Sequence, residues 1–132
     1  MLKEIISQWN SNKSKLEDWF KTQHPGSYSE IVKQIFELAI SGYDSKKITV
    51  IDDGGYQGTK IFIIPQDTYQ PSIEDYLITD TYYGSCSGCD TLQSINGYSD
   101  DTPTQEQVKD YMMLSLHLIQ KLRKLSQSSE ES

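Results

Sequence analysis

The sequence predicts an α+β fold: two N-terminal helices, a three-stranded antiparallel sheet, and a long C-terminal helix packed on the sheet. Three observations predict it. Apolar residues recur at helical spacing near both ends, β-branched residues alternate in the middle, and Gly, Pro and Asn punctuate the changes between them. The chain of 132 residues is long enough for one core without staples. A single domain is expected over 1–125, followed by a disordered polar tail over 126–132.

Residues 2–23 form the first expected helix, because Ile5, Trp9, Leu16, Trp19 and Phe20 repeat with its period. His24-Pro25-Gly26 ends it, since a residue before proline resists the helical region. Ser27 and Glu30 make an S-x-x-E capping box that opens a second helix through about Ser41, with Gly42 in the C′ position. Lys47–Ile51 and Thr59–Ile64 alternate as strands, and Gly54-Gly55 between them suits a hairpin turn. A polar crossing leads to a third strand over Tyr76–Tyr82, and Asp90–Ile95 has the makings of a helical turn before Asn96-Gly97. Thr102-Pro103-Thr104-Gln105 then reads as an N-cap, a first-turn proline and a completing Gln, starting a helix that runs to about Leu125. Val108, Tyr111, Met112, Ser115, Leu118, Ile119, Leu122 and Leu125 line its apolar face. Leu114 and Leu116 widen that face, so the helix is either deeply buried or joins a second copy in a homodimer.

Charge narrows the partners. Twelve Lys and Arg against 19 Asp and Glu leave a net charge of −7. Nucleic acid is not an expected partner, because that affinity comes from cations displacing counterions. No apolar run spans a bilayer and no signal peptide opens the sequence, so no membrane partner and a cytoplasmic location are expected. Thiols are reduced in that compartment.

The unusual composition lies in Tyr82-Tyr83-Gly84-Ser85-Cys86-Ser87-Gly88-Cys89-Asp90, which contains both cysteines of the chain. Cys86 and Cys89 offer two thiolates to one ion, but tetrahedral zinc takes four ligands, and only His24, His117 and Asp90 are at hand. A zinc site shared across a homodimer is therefore the alternative reading, and otherwise no cofactor is expected. A redox pair would sit in a parallel β-α-β setting, which this order of elements lacks. As a binding loop, Gly84, Ser85, Ser87 and Gly88 present backbone amides, Tyr82 and Tyr83 present rings, and Asp90 closes the stretch. A glycine-bearing turn whose cysteines pack as small apolar groups explains the same residues. Lys60 is the one local cation able to come round to this loop.

The Asp52–Gly58 turn contributes Tyr56 and Gln57. It lacks the alternating acids and final Glu of a calcium loop. In a sheet ordered by hairpins, this turn and the end of the third strand fall at the same end. Ser85 and Ser87 have no histidine at a recognisable spacing, so catalysis is not the expectation.

Gly55-Tyr56-Gln57-Gly58-Thr59, followed by Tyr83-Gly84-Ser85-Cys86-Ser87-Gly88-Cys89-Asp90-Thr91-Leu92, resembles small proteins of tailed bacteriophages and prophages that have no assigned activity. The resemblance covers about residues 50–95 and implies action in the bacterial cytoplasm. Together these readings lead to a binding protein that engages a host protein or a small nucleotide-like ligand through the Tyr82–Asp90 loop.

Overall fold

A computed structural model describes residues 2–52, 58–83, 91–96 and 102–125. Within them the architecture is α+β. Helix α1 (Leu2–Thr22) leads to α2 (Tyr28–Gln34), which continues as a π-helical segment, Ile35–Ala39. Strands β1 (Thr49–Asp52), β2 (Gly58–Pro65) and β3 (Tyr76–Tyr83) follow, with a 3-10 turn, Ile73–Asp75, before β3. Short α3 (Thr91–Asn96), long α4 (Gln105–Gln120) and β4 (Arg123–Lys124) complete the order.

α1 runs unbroken through Ser11-Asn12. Ile5, Trp9, Leu16 and Phe20 are its buried stripe, and Asn12 turns its amide to a use by donating to the Ala39 carbonyl (3.2 Å). Ser27 caps α2 as its sequence demands, accepting from the Glu30 amide (3.2 Å). The helix does not reach Ser41 in α form: a Gln34 boundary gives way to the wider turn, closed by Ile40 N–H on the Ile35 carbonyl (2.9 Å). Gly42 lies beyond the C′ position. Its φ of +93° serves the following turn instead, where its carbonyl accepts from the Asp67 amide (2.9 Å).

The sheet has four antiparallel strands in the order β1-β2-β3-β4, one more than the sequence suggests. The extra strand comes from the end of the last helix. That helix stops at Gln120 rather than near Leu125, and Arg123 and Lys124 pair with Ile78 and Leu77. Leu122 stays in the core (4% exposed), and Arg123 reaches Asp80 at 3.3 Å. An apolar periodicity that continues past Gln120 cannot distinguish these outcomes, because Leu122 is buried in either. The helix also starts two residues later than expected. Thr102…Gln105 and Thr104…Gln107 both read T-x-x-Q, and the second is the true box: Thr104 Oγ1 accepts from the Gln107 amide (3.1 Å), while the Gln107 side chain returns to the Thr104 amide (2.8 Å). Gln107 also donates to the Ile95 carbonyl (3.1 Å), a bond to α3 that favours this frame.

α4 packs on the β3 side of the sheet, and α1 packs on α4 and the π-helical segment. Phe62, Ile64, Leu77 and Thr79 form the inner row of the sheet, all essentially closed to solvent. Their alternates point away: Ile61 and Ile63 are half-buried, and Tyr82 is exposed. Thr79 is the polar member of the inner row and donates to the Leu118 carbonyl (2.7 Å). α4 uses its wide apolar face within this fold, since Tyr111, Leu114, Ser115, Leu118 and Ile119 are all buried.

Candidate functional site

Three of the residues singled out in sequence fall at one end of the sheet. β1 ends at Asp52, β2 begins at Gly58, and the register sets Gly58 against Tyr83, the last residue of β3. The flanks of the Asp52–Gly58 turn and of the cysteine-bearing loop are therefore neighbours. Gly84, Ser85, Cys86, Ser87, Gly88, Cys89 and Asp90 lie outside the described residues, as do Tyr56 and Gln57, the Gly54-Gly55 pair, Gly97 and the 126–132 tail. Among the described residues no three His, Cys, Asp or Glu come together in a way that would hold a metal ion.

The two tyrosines part company. Successive strand residues face opposite ways, so Tyr83 turns inward (8% exposed) and Tyr82 outward (53% exposed). The Tyr83 hydroxyl donates to the Asp52 carboxylate across two strands, and Lys60 Nζ stands 5.3 Å from the Tyr83 ring centre. Asp52 and Lys60 are themselves cross-strand partners. One ring, one acid and one cation thus fasten the ends of three strands. The far flank of the loop is fastened too: Leu92, in α3, is 7% exposed and its amide donates to the buried Tyr28 hydroxyl (2.9 Å). Tyr83 and Leu92 are thus both held in the core.

Tyr82 borders a shallow recess of about 170 Å³, lined also by Thr81, Leu114, His117, Leu118 and Lys121. Among the described residues β4 pairs with Leu77 and Ile78, short of the Thr81–Tyr82 stretch of β3 that borders the recess. Lys121 is placed beside it by its contact with the Asp80 carboxylate (3.9 Å), which Arg123 also holds. His117 is exposed on the same rim, on the face of α4 away from the buried stripe. In the sequence Lys121 carries no signal, and His117 enters only as a candidate to complete a zinc set. Their link to Tyr82 depends on how far β4 extends along β3, for which the linear pattern carries no signal.

No family model matches this chain, and no curated protein or solved structure matches it. No described helix is long and apolar enough to cross a membrane.

Proposed function

We propose that this chain is a non-catalytic binding protein that engages another protein through the sheet end formed by Tyr82, the 84–90 loop and the 53–57 turn. The observation that carries this reading is the Gly58–Tyr83 register, which sets the flanks of both unusual segments side by side. Fixed flanks reduce the entropy lost when a loop is ordered by a partner. Tyr82 offers an exposed, rigid aromatic of the type enriched at interface hot spots, and His117 and Lys121 add polar rim groups.

Size favours a protein over a nucleotide-like ligand. The recess of about 170 Å³ is below the range of about 300–1,000 Å³ typical of small-molecule sites. The resemblance to phage proteins directs the search to bacterial host proteins. In this reading Cys86 and Cys89 shape the loop and hold no metal. Affinity capture from bacterial lysate tests the proposal: wild-type protein retains a specific host protein, and Tyr82→Ala releases it with the thermal midpoint unchanged. Stoichiometric zinc in the purified protein, lost on replacing Cys86 and Cys89, would favour the metal reading instead. Thermal stabilisation by a nucleotide, abolished by Tyr82→Ala, would overturn the choice of a protein partner.

A further inference from the structure

We infer that the free edge of β1 pairs with the β1 edge of a second copy, making a two-fold dimer with one continuous eight-stranded sheet. Among the described strands β1 has a single neighbour, β2, and every one of its residues is exposed, with Val50 at 41% and Ile51 at 45%. An open strand edge presents unpaired amides and carbonyls, and monomeric proteins blunt such edges with charge, proline or brevity. The opposite edge of this sheet is blunted in that way: β4 is two residues long and both are basic. Thr49, Val50 and Ile51 carry no such device.

The charges at the ends of β1 favour a second copy as the occupant. Lys46 and Lys47 precede the strand, and Asp52 closes it. Antiparallel self-pairing lays the basic entrance of each strand alongside the acidic exit of the other. A parallel partner, or the basic β4 edge of another copy, gains less from this arrangement. Lys47 is able to take part, since its ion pair with Asp44 is a long 3.9 Å contact and its side chain is 78% exposed.

Symmetry fixes the register. A two-fold axis joining antiparallel edges stands normal to the sheet, so one residue must face its own copy. With Val50 on the axis, Thr49 faces the partner's Ile51 and Ile48 the partner's Asp52, which leaves Lys47 one residue from that acid. With Ile51 there, the partner's Asp52 faces Val50 and Lys47 stands three residues from that acid along the pairing. In the Val50 register the outer rows run on from one copy to the other, with Thr49 beside the partner's Ile51 at the seam and Ile61 and Ile63 flanking it in each copy. The helices of both copies then lie on the same side.

A four-residue edge buries less than a standard interface, so the dimer is weak, with a dissociation constant of roughly 10 µM to 1 mM. Sedimentation velocity over that range tests it. The wild-type protein shifts from monomer to dimer with concentration and shifts back as salt is raised. Val50→Lys places two cations on the axis and raises the dissociation constant about tenfold or more; Thr49→Lys, also at an exposed position, is the second variant should the first fold poorly. Met113→Lys, on the exposed side of α4 (49%), leaves the dimer intact. Mild oxidation gives the register: Val50→Cys cross-links to its copy beyond the wild-type background, whereas Thr49→Cys, about 8 Å from its copy, does not. A monomer at all concentrations, or a dimer lost on Met113→Lys and kept on Val50→Lys, overturns the inference.

Discussion

The two ends of the sheet are closed by different chemistry. At the Pro65–Tyr76 end the main chain does most of the closing. Asp44 N–H donates to the Pro65 carbonyl, Gln66 N–H to the Asp75 carbonyl (2.7 Å), and Tyr43 bridges to Gln66. Ser72 and Asp75 close a capping box over the 3-10 turn, and the Tyr43 hydroxyl is pushed up in pKa by burial, then by Glu4 and Asp75 nearby. At the Gly58–Tyr83 end, side chains close it: the Tyr83 hydroxyl on Asp52, Lys60 over the ring, and the Tyr28 hydroxyl under Leu92. Main-chain bonds tolerate nearly any sequence, whereas a side-chain latch depends on the identity of a few residues. The end that carries the unusual loops is therefore the more sensitive of the two to a single substitution.

Both ends hang from the same core, so damage there must loosen both. Phe62 is fully buried in the middle of the inner row, and Phe62→Ala costs about 3–5 kcal/mol in denaturant unfolding. Amide exchange then accelerates at Gln66 and Gly58 alike. An effect at one end only would show that the core is not shared.

A milder way to reach the same core is alkali. Tyr111 is closed to solvent, its hydroxyl stands 2.6 Å from His24 Nδ1, and burial pushes its pKa up to about 12. The unfolded chain ionises this tyrosine near 10 while the folded chain keeps the proton. Its contribution to stability is therefore complete below pH 10 and is lost as pH rises to about 12. The loss amounts to about 3 kcal/mol at most. Tyr111→Phe removes that part of the alkaline loss, which urea unfolding at pH 8 and pH 11 reads as a smaller difference between the two conditions.

The ends themselves separate under gentler changes. Tyr83→Phe keeps the ring under Lys60 and deletes the hydroxyl's bond to Asp52, for about 1 kcal/mol. Amides at Gly58 and Thr59 exchange faster in this variant, and those at Gln66 and Asp75 do not. Ser72→Ala gives the opposite pattern, with a smaller cost of about 0.5–1 kcal/mol because the box is exposed. If the two variants affected the same amides, the ends would not be independent latches.

Much of this frame is legible in the residues. The Ser27 N-cap, the alternation over Thr59–Ile64 and the inward stripe of the first helix each have a local cause, and each forms where that cause lies. Glu30 returns its carboxylate to the Gly26 amide (3.4 Å), so the cap closes one residue earlier than the S-x-x-E box predicts. The fourth strand has no such cause, because nothing local separates Leu122-Arg123-Lys124 as a continued helix from the same residues paired to β3. The decision rests on Asp80, far away in the chain, which holds Arg123 and Lys121. The candidate site divides in the same way. That Tyr82 and Tyr83 adjoin a special loop is plain from composition. That one of them faces out while the other latches to Asp52 requires strand phase and register, and the flanking His117 and Lys121 require the length of β4 as well.

The functional claim is that the side-chain-latched end, not the backbone-latched one, meets the partner. Each end carries an exposed tyrosine close by: Tyr82 at 53%, next to the loop, and Tyr69 at 96%, in the crossing that follows Pro65. A photo-reactive phenylalanine derivative placed at one or the other position, followed by irradiation in bacterial lysate, tests the claim most directly. The account predicts a discrete cross-linked host protein from position 82 and none from position 69. A cross-link from position 69 alone, or the same set of adducts from both, would contradict it.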